Sequence, residues 1–181
     1  MAKPKVATDW MAGCAGCHMS LLDMDERIIQ VAELVDIRAT PITDLKRADA
    51  SGVDVGILEG AVNNTANEEQ AHWMRDHCKI LVAFGDCAVF GGVPAMRNFF
   101  TVDETLRRAY IEAPSNDASG MIPSDPELCV QTRVRAIHEV VPVDVFLPGC
   151  PPDADAIFYV LVELANGRMP QLKDNNLLHW H

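Results

Sequence analysis

Five short apolar stretches recur along the chain: Lys5–Trp10, Val35–Thr40, Gly52–Leu58, Lys79–Phe84 and Val143–Leu147. Short runs that are continuous rather than alternating suit strands buried on both faces. Helical patterns lie between and after them. Ser20–Leu34 places Leu21, Met24, Ile28, Val31 and Leu34 on one face. Asn67–His77 reads as a second helix, and a third runs from about Asp153 to Ala165 and ends at Gly167. Strands alternating with helices predict parallel βαβ units covered on both sides. The expected fold is therefore α/β, a flavodoxin-like doubly wound parallel sheet, forming a single domain over residues 1–181. A chain of 181 residues can bury such a core without staples. Asn98–Pro142 stands apart, being rich in Pro, Ser and Asp around Ala113–Pro126. It reads as a long loop, and an insertion of that length is usually functional or partner-facing.

Charge narrows the function. Fifteen basic residues against 26 acidic ones give a net charge of −11. Such a surface repels phosphate backbones, so no nucleic-acid partner is expected. No apolar run reaches the length of a membrane span, and Met1–Trp10 carries neither an apolar signal segment nor a twin arginine. A cytoplasmic protein with no membrane anchor of its own is expected.

Six cysteines without a secretory signal point to metal binding or catalysis rather than to a disulfide framework. Cys14 and Cys17 form GCAGC after the first strand, Cys87 lies in FGDCAVFGG after the fourth, and Cys150 lies in LPGCPP after the fifth. In an open parallel sheet the carboxyl ends of the strands share the edge where ligands bind. Three distant segments therefore bring four thiols to one place. Glycines at 13, 16, 85, 91, 92 and 149 allow the tight backbone that donates N–H groups to cluster sulfur. Pro151 and Pro152 keep the chain after Cys150 out of a helix. A structural zinc site usually pairs two CxxC knuckles, and only one occurs here. A thioredoxin-like use of Cys14 and Cys17 leaves Cys87 and Cys150 unexplained.

The motifs GCAGC, LEGAV (Leu58–Val62), FGDCAVFGG, RNFF (Arg97–Phe100) and LPGCPP together resemble the small subunits of [NiFe]-hydrogenases. The stretch PSDPEL…RVRAIHEVVPVDVFLPGCPP is most similar to the soluble, NAD-reducing (bidirectional) type. The resemblance covers essentially the whole chain. It implies one [4Fe–4S] cluster on Cys14, Cys17, Cys87 and Cys150, near a NiFe centre held by a separate large subunit. It further implies electron transfer to an iron–sulfur and flavin diaphorase that reduces NAD⁺, and no activity for this chain alone. Gly13, His18, Glu59, Gly149 and Pro151 are the residues expected beside the cluster. Many relatives carry a glutamate where this chain has Gly13, so that residue's roles do not transfer. Many also carry further clusters in a second domain, whereas no cysteine follows Cys150 here, so one cluster is expected.

Other readings are specific enough to test. A flavodoxin-like sheet can hold FMN at its switch point, which makes FMN an additional cofactor expectation although no flavin fingerprint occurs. An F420- or heterodisulfide-coupled hydrogenase would share these motifs, and a complex-I-like cluster subunit shares the GxC…GG and GCPP turns. A zinc-stabilised interaction module is the alternative from another class. Cys78 and Cys129 lie outside the turn motifs and read as packing or surface thiols. His18 reads either as a contact to the cluster or partner or as a solvated helix-start residue. His138 is expected to be structural, and His179 and His181 lie at the chain end. Phe84, Phe90, Phe99 and Phe100 are expected in the core or at a subunit interface.

Overall fold

The fold is known from a computed structural model that describes residues 2–45, 48, 51–117, 120–173 and 177–178. His179 and His181 lie outside the described residues. The elements run β1 (Lys5–Trp10), α1 (Gly16–Leu22), α2 (Arg27–Leu34), β2 (Asp36–Ala39), β3 (Val53–Glu59), β4 (Val62–Asn64), α3 (Thr65–His77), β5 (Cys78–Phe84), α4 (Asp86–Phe90), α5 (Val102–Tyr110), β6 (Gln131–Arg135), β7 (Val145–Leu147) and α6 (Ala154–Ala165). Short 3-10 turns cover Val93–Phe99 and Ile137–Glu139.

Five parallel strands form the main sheet in the order β2-β1-β3-β5-β7. With the small antiparallel pair β4–β6 set aside, this is the flavodoxin-like order, and it reverses direction between β1 and β3. Each central strand is apolar on both faces. Val6, Val55, Ile57, Val82 and Phe84 meet Met24, Val31, Ile157, Val160 and Leu164 on one side. Ala7, Leu58, Leu81 and Ala83 meet Ala71, Met74, Val89 and Ile137 on the other. Fully buried side chains such as Phe84, Leu58 and Leu81 each contribute about 1.5–3 kcal/mol relative to exposure. This two-sided burial fixes the strands, and with them the edge at which their carboxyl ends stop.

Two expectations need correction. The helix predicted across Ser20–Leu34 is two helices, because Asp25 takes a left-handed conformation with φ of 52° between them. Aspartate tolerates that region better than most side chains, so the break left little trace in the apolar pattern. Met24 and Val31 are buried as expected, whereas Leu34 is 38% exposed. The stretch 98–142 is not one loop. It holds α5, started by a Thr101–Glu104 capping box, and β6, which pairs with β4.

Candidate metal centre

The carboxyl ends of β1, β3, β5 and β7 supply the site. Cys14 and Cys17 follow β1, Glu59 ends β3, Cys87 is the second residue of the short α4 after β5, and Cys150 follows β7. Cys17 is buried, Cys87 is half-buried, and Cys14 and Cys150 are exposed. The ends of β1 and β3 are zipped together beyond the sheet, with Met11 N–H donating to Glu59 O at 2.8 Å and Ala61 N–H to Ala12 O at 2.8 Å.

Glu59 organises the buried side of the site. Its carboxylate accepts the backbone N–H of Cys17 at 3.2 Å and of His18 at 2.9 Å. These are orphan donors of the first turn of α1. The Nδ1 of His18 forms a short bond with Glu59, and Nε2 meets Thr8 Oγ1 at 2.9 Å. Thr8 in turn donates to Thr40 at 2.8 Å. Trp10 and Phe84 close over the imidazole edge-on. His18 is completely buried, so the solvated reading of this residue is wrong, and Glu59 is buried with it. Burial works to raise the Glu59 pKa, but the bonds from His18 and Cys17 outweigh it and hold the carboxyl below its usual range.

The thiols sense one another. Burial pushes the Cys17 thiol far up, and the charges of Glu59, Cys87, Cys14 and Cys150 add to the effect. Cys87 is also raised, first by burial and then by Cys150, Cys14 and Glu59, against a lowering bond from the Val93 N–H. Gly16 N–H donates to Cys14 Sγ at 3.4 Å. Thiols that resist ionising, as Cys17 and Cys87 do, are stabilised as thiolates by bound cations, which invert this electrostatic logic. Among the described residues, no three or more His, Cys, Asp or Glu side chains form a ready-made single-ion site.

Two glycines make the close approach possible. At Gly85, φ is +86° and a Cβ would fall 2.2 Å from Cys17 Sγ. At Gly92, φ is +49° and a Cβ would fall 2.9 Å from Cys87 Sγ. Both backbone conformations are ones L side chains avoid. The space beside each sulfur is thus kept clear by the chain, and four thiols around such a cradle are the donor set a [4Fe–4S] cluster takes.

The remaining candidates fall into place. Gly13 is exposed, and a Cβ there would point to within 3.9 Å of Glu59 Oε1. Gly149 precedes Cys150 with φ of +135°, and Pro151 is exposed just beyond it. Cys78 is buried in the core and Cys129 is exposed, as expected. His138 is exposed, edge-on to Phe146. Phe84 is core, whereas Phe90, Phe99 and Phe100 are 58%, 84% and 64% exposed. Asp86 was not singled out in the sequence, although it sits inside the FGDC motif. It joins the Cys87 turn to the Cys150 turn.

Fold and site define a flavodoxin-like domain whose sheet edge carries Cys14, Cys17, Cys87 and Cys150 at the ends of its strands. The chain belongs to the family described as NADH ubiquinone oxidoreductase, 20 Kd subunit, which matches residues 14–164. Within it, the chain is of the [NiFe]-hydrogenase small-subunit kind, most similar to the NAD-reducing type. It is 44% identical to the delta subunit of the NAD-reducing hydrogenase HoxS of Cupriavidus necator, over 92% of this chain and 80% of that one. It is 37% identical to a subunit of the F420-non-reducing hydrogenase of Methanothermobacter thermautotrophicus, over 97% of this chain but only 58% of that longer one. A crystal structure of an NAD⁺-reducing [NiFe]-hydrogenase in the H₂-reduced state contains a chain that superposes with a TM-score of 0.92 at 39% identity, covering 99% of this chain and all of that one. A [NiFeSe]-hydrogenase structure from Desulfomicrobium baculatum shares the fold at 19% identity and a TM-score of 0.59, covering 96% of this chain and 68% of that one.

Proposed function

We propose that this chain is the electron-transferring small subunit of a cytoplasmic NAD-reducing hydrogenase, holding one [4Fe–4S] cluster on Cys14, Cys17, Cys87 and Cys150. The observation that carries the reading is the convergence of these four thiols at one sheet edge, with Cys17 influenced by the other three. The similarity to NAD-reducing hydrogenase subunits supports the choice of acceptor. A bound cluster supplies storage and transfer of single electrons, while this chain holds it and sets its surroundings.

H₂ oxidation at a NiFe site in a large subunit would supply two protons and two electrons. NAD⁺ at a diaphorase would take both electrons and one proton, so that the sum H₂ + NAD⁺ → NADH + H⁺ balances. The residues of this chain act on the path between those sites. Glu59 fixes the Cys17 turn by taking its N–H, and the fully buried His18 packs behind it. Val93 and Gly16 offer N–H groups to the sulfurs of Cys87 and Cys14. Such bonds stabilise electron-rich sulfur and so tune the potential.

Phe90, Val93, Met96, Phe99 and Phe100, which follow Cys87 closely in the chain, are all exposed apolar side chains. Arg97 is turned inward onto Gln131 at 2.8 Å, and Asn98 exchanges bonds with the Val134 backbone at 2.8 and 2.9 Å. The segment is thereby pinned to β6 while its aromatic rings face out. This face, with the rest of 98–142, is where the large subunit would dock. Among the described residues no helix is long and apolar enough to cross a membrane.

The test is to purify the complex anaerobically and measure H₂-dependent NAD⁺ reduction together with iron, nickel, zinc and flavin. Nickel, about four irons on this subunit and NADH formation are expected. H₂ oxidation without NADH would move the acceptor to another partner, and zinc without nickel would overturn the reading.

A further inference from the structure

We propose that Asp86 is a positioning residue that sets the separation of Cys87 and Cys150 and adds a negative charge beside the cluster, an inference that rests on the cluster reading above. The Oδ1 of Asp86 accepts the Gly149 N–H at 2.7 Å, and its own N–H donates to Gly149 O at 2.9 Å. One residue before Cys87 is thus locked in both directions to one residue before Cys150. The lock continues the sheet, since Gly85 N–H donates to Leu147 O at 2.8 Å where β5 and β7 end. Without it, the two thiols would sit on separate turns, one at the start of a short helix and the other in the proline-flanked turn after β7.

Geometry alone would be served by any short acceptor. An aspartate supplies a charge-assisted bond, which is shorter and stronger than a neutral one. Among the described residues no ion pair neutralises this carboxylate. It is only half-buried, so its charge stays partly solvated, yet it adjoins two of the four sulfur-bearing turns. A negative charge there disfavours adding an electron to the cluster and so lowers its potential. Asp86 therefore has two separable effects, a brace and a field.

Two variants of the intact complex separate them. Asp86→Asn keeps the acceptor and removes the charge, so iron content should match the parent while the cluster's midpoint potential, followed by EPR during a redox titration, moves positive. Asp86→Ala removes both, and iron should be lost to a chelator about tenfold faster or more, in line with other outer-sphere partners of metal sites. A thermal melt checks that both variants fold. The inference is overturned if Asp86→Ala holds its iron as long as the parent and Asp86→Asn leaves the potential unmoved. A parent complex with no iron–sulfur signal would instead remove the cluster reading, and this inference with it.

Discussion

Cys17 and Cys150 serve the same edge of the same sheet, yet their surroundings differ in kind. Cys17 is 7% exposed and backed by Phe84, His18 and Glu59, whose bonds all run within this chain. Cys150 and Cys14 are exposed, and beyond Cys87 lies the uncovered face from Phe90 to Phe100. The buried half is finished by the chain itself, because a buried carboxylate and imidazole are tolerable only when fully bonded. The open half is finished by whatever covers it. A site made this way can be assembled by the small subunit and then closed to water by its partner.

The largest effect expected from breaking this contrast is at the buried thiol. Cys17→Ser should abolish this subunit's own iron–sulfur signal and H₂-dependent NAD⁺ reduction, whereas Cys129→Ser at an exposed thiol away from the turns should leave both intact. Iron analysis and activity on the two purified complexes decide this.

Glu59→Ala comes next. It leaves the His18 ring and two backbone N–H groups without their acceptor in the core, a loss of about 3–5 kcal/mol for a broken buried pair. Denaturant unfolding of the variant should show it, and Glu59→Gln, which keeps an acceptor, should recover part of the loss. If the two variants unfold alike, Glu59 is not the organiser of the buried half.

On the open half, replacing Phe99 and Phe100 together by Ala should spare the fold and iron content of this chain while weakening assembly. Aromatic anchors at interfaces cost about 2 kcal/mol or more when truncated. Loss of the large subunit in size-exclusion chromatography at low concentration is the expected readout. Unchanged assembly would place the partner elsewhere.

The smallest effect lies far from the edge. Burial tends to raise the Asp144 pKa, but Arg75 at 2.6 Å and the Leu81 N–H at 2.7 Å overcome it and hold the carboxyl low. Its contribution is therefore complete above the unfolded carboxylate range near pH ~4 and fades as pH falls through the folded value. Since the side chain is 38% exposed, solvent screening limits it to about 1 kcal/mol or less. Asp144→Asn should lower the urea midpoint at neutral pH and flatten its decline in acid. An unaltered acid limb would remove this carboxyl from the account.

The same contrast explains what the sequence revealed. The strands that build the buried half were legible because they are apolar on both faces: Lys5–Trp10 is as read, and Lys79–Phe84 starts only one residue late. The cysteine turns followed from strand ends, since topology alone carries them to one edge. The β4–β6 pair was not legible. Val62–Asn64 and Gln131–Arg135 are short and largely polar, and they become strands through each other and through Arg97 and Asn98. The solvated reading of His18, one of its two, failed for a similar reason. Its burial depends on Glu59 and Thr8, which meet it only in the folded sheet. Asp86 was hidden inside a cysteine motif, and its partner Gly149 lies 63 residues away.

The most direct test of the central claim is EPR of the H₂-reduced complex, paired with iron and acid-labile sulfide analysis of this subunit after separation. The expected result is a signal from a reduced [4Fe–4S] cluster that Cys17→Ser removes, with about four irons per chain. A subunit that carries zinc in place of iron, or an iron signal that survives the loss of Cys17 unchanged, would contradict it.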